Sequence, residues 1–170
     1  MFHHEKPIFI TYRLNFNLPE KEMNRYRQLI KGWYHELRDL PKDERTFRLQ
    51  DRDKRFFDWF DKIIGLAPDI PQILHQDGIR EIIQESFHHF DGLRYTLLCY
   101  CIMPNHVHVL INPLVQEDGD IFSISRIVYT WKRYTATAIN RVLGKKGKLW
   151  QKEIYDSLVR DKEDLGKVIG

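Results

Sequence analysis

Apolar and polar positions along this 170-residue chain change period several times, and each change marks an element. "IFITYRLNF", Ile8–Phe16, alternates apolar and polar side chains and is rich in β-formers, so it reads as a first strand. Pro19 opens a helical pattern in which Met23, Tyr26, Leu29, Ile30, Trp33 and Leu37 share one face. A charged connector follows, ending in a short aromatic-rich helix around Phe56–Ile64 before "APDIP" breaks the chain. A third helix is predicted from about Pro71 to Phe90, with Ile79, Ile82, Ile83 and Phe87 inward and Asp91-Gly92 closing it.

The second half returns to strands. "LRYTLLCYCIM", Leu93–Met103, and "HVHVLINP", His106–Pro113, flank a Pro-Asn turn and form a predicted antiparallel hairpin. After the polar loop "LVQEDGD", a basic amphipathic helix is predicted from Ser123 to Leu143. Ile124, Ile127, Val128, Trp131, Tyr134, Ala138 and Val142 form its apolar side, and Gly144 and Gly147 end it. "LWQKEIYDSLVR" reads as a further strand and "DKEDLGKVIG" as the first turns of a helix. The order predicts an α+β fold, an antiparallel sheet with helices packed on it, in a single domain spanning residues 1–170. Residues 19–90 would be a helical insertion after the first strand.

Composition changes this picture little. No apolar run approaches the roughly 18–20 residues that span a bilayer, and "MFHHEKPIFITYRL" lacks the apolar core of a signal peptide. The two cysteines, Cys99 and Cys101, lie two apart in one strand, where bridging is unusual, so a reduced cytoplasmic protein is expected.

Charge distribution adds more. Ser123–Lys152 holds eight Lys or Arg and no Asp or Glu, whereas the rest holds nineteen basic and twenty-four acidic side chains. A solvated helix face carries such a block without further purpose. A basic cluster also attracts phosphates, and Tyr129, Trp131, Tyr134 and Trp150 are interleaved with the charges here. Basic surfaces with aromatic rings suit unpaired bases, although several of these rings must belong to the core.

The candidate chemistry lies in "MPNHVHV". Strand side chains alternate faces, so His106 and His108 project side by side, with Val107 and Val109 on the other face. Neutral imidazoles bind divalent metals, and two ligands leave positions open for a third side chain, water and a substrate oxygen. Two alternatives stand beside this reading. The pair can be half-buried histidines bonded to backbone, or it can join Cys99 and Cys101 in a closed structural zinc site of an interaction module. His3, His4, His88 and His89 are expected to be structural.

"MPNHVHVLI", "WKRYTATAINR" and "GKLWQKEIYDSLVRDKEDLGKVI" resemble, in order and spacing, the single-tyrosine HUH transposases. The branch they look most like is that of the REP-associated tyrosine transposases, within the IS200-like transposases. The resemblance covers the chain from about Arg94 onward and, more weakly, "FITYRLN". It implies a ferredoxin-like HUH nuclease fold, and the helical segment looks like an insertion typical of the branch. It further implies a single-strand DNA endonuclease and strand transferase that acts beside a folded hairpin through a 5′-phosphotyrosine.

In that scheme His106 and His108 hold Mg or Mn, and Asn105 shapes the turn presenting them. Asn105, Arg126, Lys132, Arg133 and Arg141, with Lys145, Lys146, Lys148 and Gln151, are the expected DNA contacts. The family's nucleophilic tyrosine lies on the helix after the "WQ…YD…R" segment, which places it just beyond Gly170, together with the polar side chain that completes the metal site. Tyr155 is the nearest alternative but matches a family aromatic on the preceding strand. A non-catalytic DNA-hairpin-binding protein is the alternative on the same fold, and the resemblance admits a monomer or a homodimer.

Overall fold

The computed structural model describes residues 6–17, 19–38 and 70–159, with 40, 41, 44, 59, 62 and 63. The chain divides into two compact units, one of Met1–Asn15 with Pro71–Gly170 and the other of Phe16–Ile70. In the second unit the predicted helix forms as α1, Glu20–Arg38. Glu20 and Glu22 in its first turn complement the positive end of the helix dipole. The aromatic helix expected around Phe56–Ile64 falls largely outside the described residues, as does the C-terminal "DKEDLGKVIG" helix.

The first unit is built on a four-stranded antiparallel sheet with helices packed on it. Its elements are β1 (Ile8–Arg13), α2 (Ile79–His88), β2 (Tyr95–Ile102), β3 (His106–Pro113), α3 (Ile124–Leu143) and β4 (Tyr155–Leu158). The strand order is β2-β3-β1-β4. All three pairings are antiparallel. The third helix is thus shorter than the predicted Pro71–Phe90, and it belongs to the sheet unit. Among the described residues no helix is long and apolar enough to cross a membrane.

Register decides which side chains share a face. Val107, Val109 and Ile111 of β3 stand opposite Tyr12, Ile10 and Ile8 of β1, whereas His106, His108 and Leu110 stand opposite Arg13, Thr11 and Phe9. Between β2 and β3 the register shifts: Leu97 pairs with Ile111 but Cys99 already pairs with Leu110. Leu98 is the extra residue of a β-bulge, and beyond it every β2 side chain changes face. Tyr100 therefore stays on the side of Val109 while Cys101 comes opposite His108.

The valine face carries the helices. The Trp131 ring of α3 meets Tyr95 and Phe87 edge-on, at centroid distances of 5.2 and 5.1 Å. Such aromatic pairs add about 0.5–1.5 kcal/mol each beyond the area they bury. The polar tips are satisfied in series: Trp131 Nε1–H donates to the Tyr95 hydroxyl at 2.9 Å, which donates to the Phe87 carbonyl at 2.7 Å. Burial, with the Trp131 bond opposing it, pushes Tyr95 up to about 12.

The inward side of α3 differs from the predicted one. Tyr134 and Val142 are exposed, and Thr135 and Ile139 are buried in their place. Thr135 can enter the core because its hydroxyl is fully used. It donates to the Trp131 carbonyl at 2.7 Å and accepts from Trp150 Nε1–H at 2.8 Å. Trp150 packs edge-on against Tyr12 at 4.8 Å, so this ring is a core residue. Gly144, at φ 62, ends α3, with the Lys145 amide bonded back to the Asn140 carbonyl at 2.9 Å.

Candidate functional site

The opposite face of the sheet holds the histidines. The tight turn before β3 is tied at three points, each an amide-to-carbonyl bond of 2.9 Å. Met103 donates to His106, Leu14 to Asn105, and Leu74 to Pro104. A turn held from three directions gives the first residue of β3 a defined direction. His106 is buried, at 2% exposure, and His108 is half-buried.

The two imidazoles converge. His106 Nε2 and His108 Nε2 lie 3.1 Å apart, with the ring planes at 81°. Two nitrogens that each bind one ion at about 2.1 Å, at roughly a right angle, stand about 3.0 Å apart. The spacing therefore fits a shared divalent ion. The outer nitrogens are held as well. Asn105 Oδ1 lies 2.6 Å from His106 Nδ1, and Thr11 Oγ1 lies 2.8 Å from His108 Nδ1. Phe9 stacks on the His108 ring at 5.4 Å with an interplanar angle of 17°. Ligand histidines held at the far nitrogen in this way keep their tautomer and their aim.

Among the described residues no group of three or more His, Cys, Asp or Glu gathers around one point. The closed zinc arrangement of Cys99, Cys101, His106 and His108 is thus not assembled, and both cysteines are free and exposed. The bulge does bring Cys101 opposite His108, but the Cys101 sulfur is turned to Met103 Sδ at 3.6 Å.

The expected DNA contacts separate into distinct places. Asn105 is buried against His106, so it orients a histidine rather than offering a surface. Arg126, Arg133 and Arg141 are exposed on α3, the helix that covers the valine face. They and the histidines stand on opposite sides of the sheet. Lys132 turns inward: its ammonium donates to the carbonyls of Gln151, Lys152 and Glu153 at 2.8, 3.3 and 3.3 Å. Burial lowers it to about 8, with Glu153 opposing and Lys148 assisting. Lys132 holds the approach to β4.

Lys145, Lys146 and Lys148 are exposed on the loop after α3. That loop leads into a segment fastened along the end of β1, where Asn15 bonds Leu149 at 2.7 Å and Gln151 bonds Arg13 at 3.0 Å. The loop thus reaches the end of the sheet that carries His106. Gln151 is half-buried there.

Three residues were missed by sequence reasoning. Thr11, Arg13 and Phe9 all face the histidine side of β1. Arg13 pairs in register with His106, and burial lowers its guanidinium from the ordinary value, with Glu153 opposing. The signal was available in the alternation of "IFITYRL", which puts Phe9, Thr11 and Arg13 on one face. Which strand lies beside β1 is not written in that pattern. Tyr155 pairs with Thr11, so Tyr155, Thr11, His108 and Cys101 form one row across four strands on this face.

A family model described as IS200-like transposase matches residues 71–164, more than half of the chain. Among solved structures the chain is similar to one described as a REP-associated tyrosine transposase bound to a REP hairpin. The two are 12% identical with a TM-score of 0.44, and the match covers 96% of this chain and 61% of that one. The chain therefore spans about three fifths of the length of that protein. A comparison with curated proteins returns no match.

Proposed function

Since this chain belongs to the IS200-like transposase family, we propose that it is the metal-binding and DNA-binding part of an enzyme that cleaves and joins single-stranded DNA beside a folded hairpin. The observation that carries this reading is the convergence of His106 Nε2 and His108 Nε2 at 3.1 Å on one face of the sheet. These two nitrogens would hold Mg or Mn. Bound there, a divalent ion would supply positive charge that stabilises the charge developing on the scissile phosphate in the transition state by several kcal/mol.

The chain's own residues do the rest. Asn105 fixes His106, and the turn at Met103–Asn105 fixes the start of β3. Arg13, in register with His106 and with its guanidinium donating to the Leu14 carbonyl at 3.4 Å, would add positive charge for a phosphate approaching this face. Lys145, Lys146 and Lys148 extend the positive surface from that end of the sheet. Arg126, Arg133 and Arg141 then serve a length of nucleic acid that wraps to the far side, such as a hairpin stem, rather than the strand being cut. The attacking group is a tyrosine hydroxyl, which displaces the 3′ oxygen and becomes a 5′-phosphotyrosine. We place that tyrosine just beyond Gly170. A tyrosine is a weak nucleophile at its free pKa of about 10, so the charge near the phosphate matters.

Manganese titration of the wild type against a variant carrying His106→Ala and His108→Ala tests the metal. Binding only by the wild type is expected, and equal binding ends the proposal. A hairpin oligonucleotide with a single-stranded flank should bind better than blunt duplex, with affinity falling as salt rises. Equal affinity for the two would remove the hairpin. A covalent adduct formed by residues 1–170 alone would show that the nucleophile lies within this chain, with Tyr155, in register with Thr11, as the nearest candidate.

A further inference from the structure

We propose that the outer side of residues 151–153 is a phosphate site of the nucleic-acid surface, and that the Glu153 carboxylate occupies it until a phosphate displaces it. The inference rests on reading this chain as DNA-binding. It adds a site separate from the histidine pair, together with an internal occupant for that site.

The site is built from Lys132 outward. Its ammonium collects the carbonyls of Gln151, Lys152 and Glu153 at 2.8, 3.3 and 3.3 Å. The buried Tyr12 ring lies 5.3 Å from the same Nζ, so this clamp is seated on the core. No peptide bond among the described residues is cis, and a trans peptide points its C=O and its N–H in opposite directions. Three carbonyls gathered inward therefore turn the N–H groups of Lys152, Glu153 and Ile154 outward. Successive outward amides make a positive strip that favours an anion.

Full charges surround the strip. Lys148 and Lys152 are both exposed. The Gln151 amide donates to the Arg13 carbonyl at 3.0 Å, and Arg13 is in register with His106. The segment is thus fastened at the end of the sheet that carries the histidines. From Ser123 to Lys152 the chain has no acidic side chain, and Glu153 is the first. It folds back onto the strip. Its carboxylate accepts from its own backbone N–H and from the Gln151 side chain, and Lys148 and Lys152 add positive charge. Together these hold its carboxyl below the ordinary value. Lys132 and Arg13 interact with the same carboxylate.

A carboxylate and a phosphodiester are alike in what they ask of such a site. Each carries one negative charge and offers two oxygens to N–H groups and ammonium ions. A DNA phosphate gains these contacts by displacing Glu153, whose exposed side chain then turns into solvent. A free anion competes poorly with a carboxylate tethered at the site. A phosphate on a strand already held elsewhere on the protein competes well, because its effective concentration is high. The internal carboxylate therefore favours nucleic acid over small anions.

The test compares Glu153→Gln with Glu117→Gln, both at exposed positions. Glu117 lies in the loop after β3, so its substitution removes the same charge at the end of that strand away from His106. Glutamine keeps the length and can accept the same hydrogen bonds without the charge. Affinity for the flanked hairpin oligonucleotide at low salt should rise about 2–5-fold in Glu153→Gln, the scale of one exposed ion pair. It should stay at the wild-type value in Glu117→Gln, and the gain at Glu153 should shrink as salt rises. Equal gains in the two variants, or no gain at Glu153, overturn the proposal. Inorganic phosphate is the second probe. In ¹H–¹⁵N NMR spectra it should shift the Lys152 and Glu153 amides at lower concentration in Glu153→Gln than in wild type. The same concentration dependence in both proteins also overturns the proposal. Equal binding of hairpin and blunt duplex, with both tightened by Glu153→Gln, removes the hairpin from the proposed function and supports this site. A wild type that binds no oligonucleotide overturns both.

Discussion

The two faces of this sheet use the same strands for opposite purposes. On the valine face, Tyr12, Tyr95, Trp131 and Trp150 bury large rings, and the indole N–H groups of Trp131 and Trp150 donate to the hydroxyls of Tyr95 and Thr135. On the histidine face, Asn105 and Thr11 stand at the outer nitrogens of the two rings, and the inner nitrogens point at one another. One face spends its hydrogen bonds on making the core complete. The other uses them to aim two nitrogens at a common point. Stability and chemistry can therefore be disturbed separately, because a β-strand sends alternate residues to different sides.

The largest expected effect lies on the packed face. Trp131→Ala removes the ring on which Tyr95 and Phe87 converge and should cost about 3–5 kcal/mol of unfolding free energy. Denaturant titration measures it, and a loss under about 1 kcal/mol would show that the two faces share the core more evenly than the geometry indicates.

Next comes Asn105→Ala on the other face. Manganese affinity should fall about 10–100-fold, equivalent to about 1.4–2.7 kcal/mol, because His106 loses the side-chain partner 2.6 Å from its Nδ1 that orients the ring. An unchanged affinity in titration calorimetry would mean that the tight turn alone aims His106.

Tyr12→Phe sharpens the contrast from the opposite direction. The Tyr12 hydroxyl is buried with no hydrogen-bond partner among the described residues, and burial holds its phenol well above the ordinary value. Such an orphan costs stability, so its removal should be neutral or gain up to about 1 kcal/mol. A clear loss of stability would reveal a partner for that oxygen.

The smallest effect is a pH dependence at Lys132. Its folded value of about 8 lies below the ordinary 10.5. Between those values the unfolded chain keeps a proton that the folded chain has released, so stability from this group rises as pH increases through about 8–10.5. The melting temperature of wild type minus that of Lys132→Met should increase over this window. The change is modest because the side chain is only half-buried. A flat difference would show that the three backbone carbonyls, which match the three donors of an ammonium, hold the charged form.

Much of this architecture was legible in residue order. The alternation in "IFITYRL", the hairpin around Pro104-Asn105 and the apolar spacing of α3 are local patterns, and local geometry imposes them. The side of α3 was read less well. Tyr134 is apolar enough to look inward and Thr135 polar enough to look outward. The reverse holds because Trp150, fifteen residues on, supplies a donor to the Thr135 hydroxyl. No window around Thr135 contains that information.

By itself the sequence determined that His106 and His108 share one face of a strand, since that follows from a period of two. It equally determined that Arg126, Arg133 and Arg141 lie on one helix. Only the tertiary structure decided that these two sets face away from each other, because that depends on which side of the sheet α3 covers. It likewise decided that Thr11 and Arg13, almost a hundred residues earlier, stand beside the histidines, and that one extra residue at Leu98 brings Cys101 opposite His108. Strand partners are chosen by the whole fold, through the burial of a shared face, and neither strand encodes its neighbour alone. "MPNHVHV" supplies two nitrogens, and β1 supplies the hydroxyl that stands 2.8 Å behind one of the two rings.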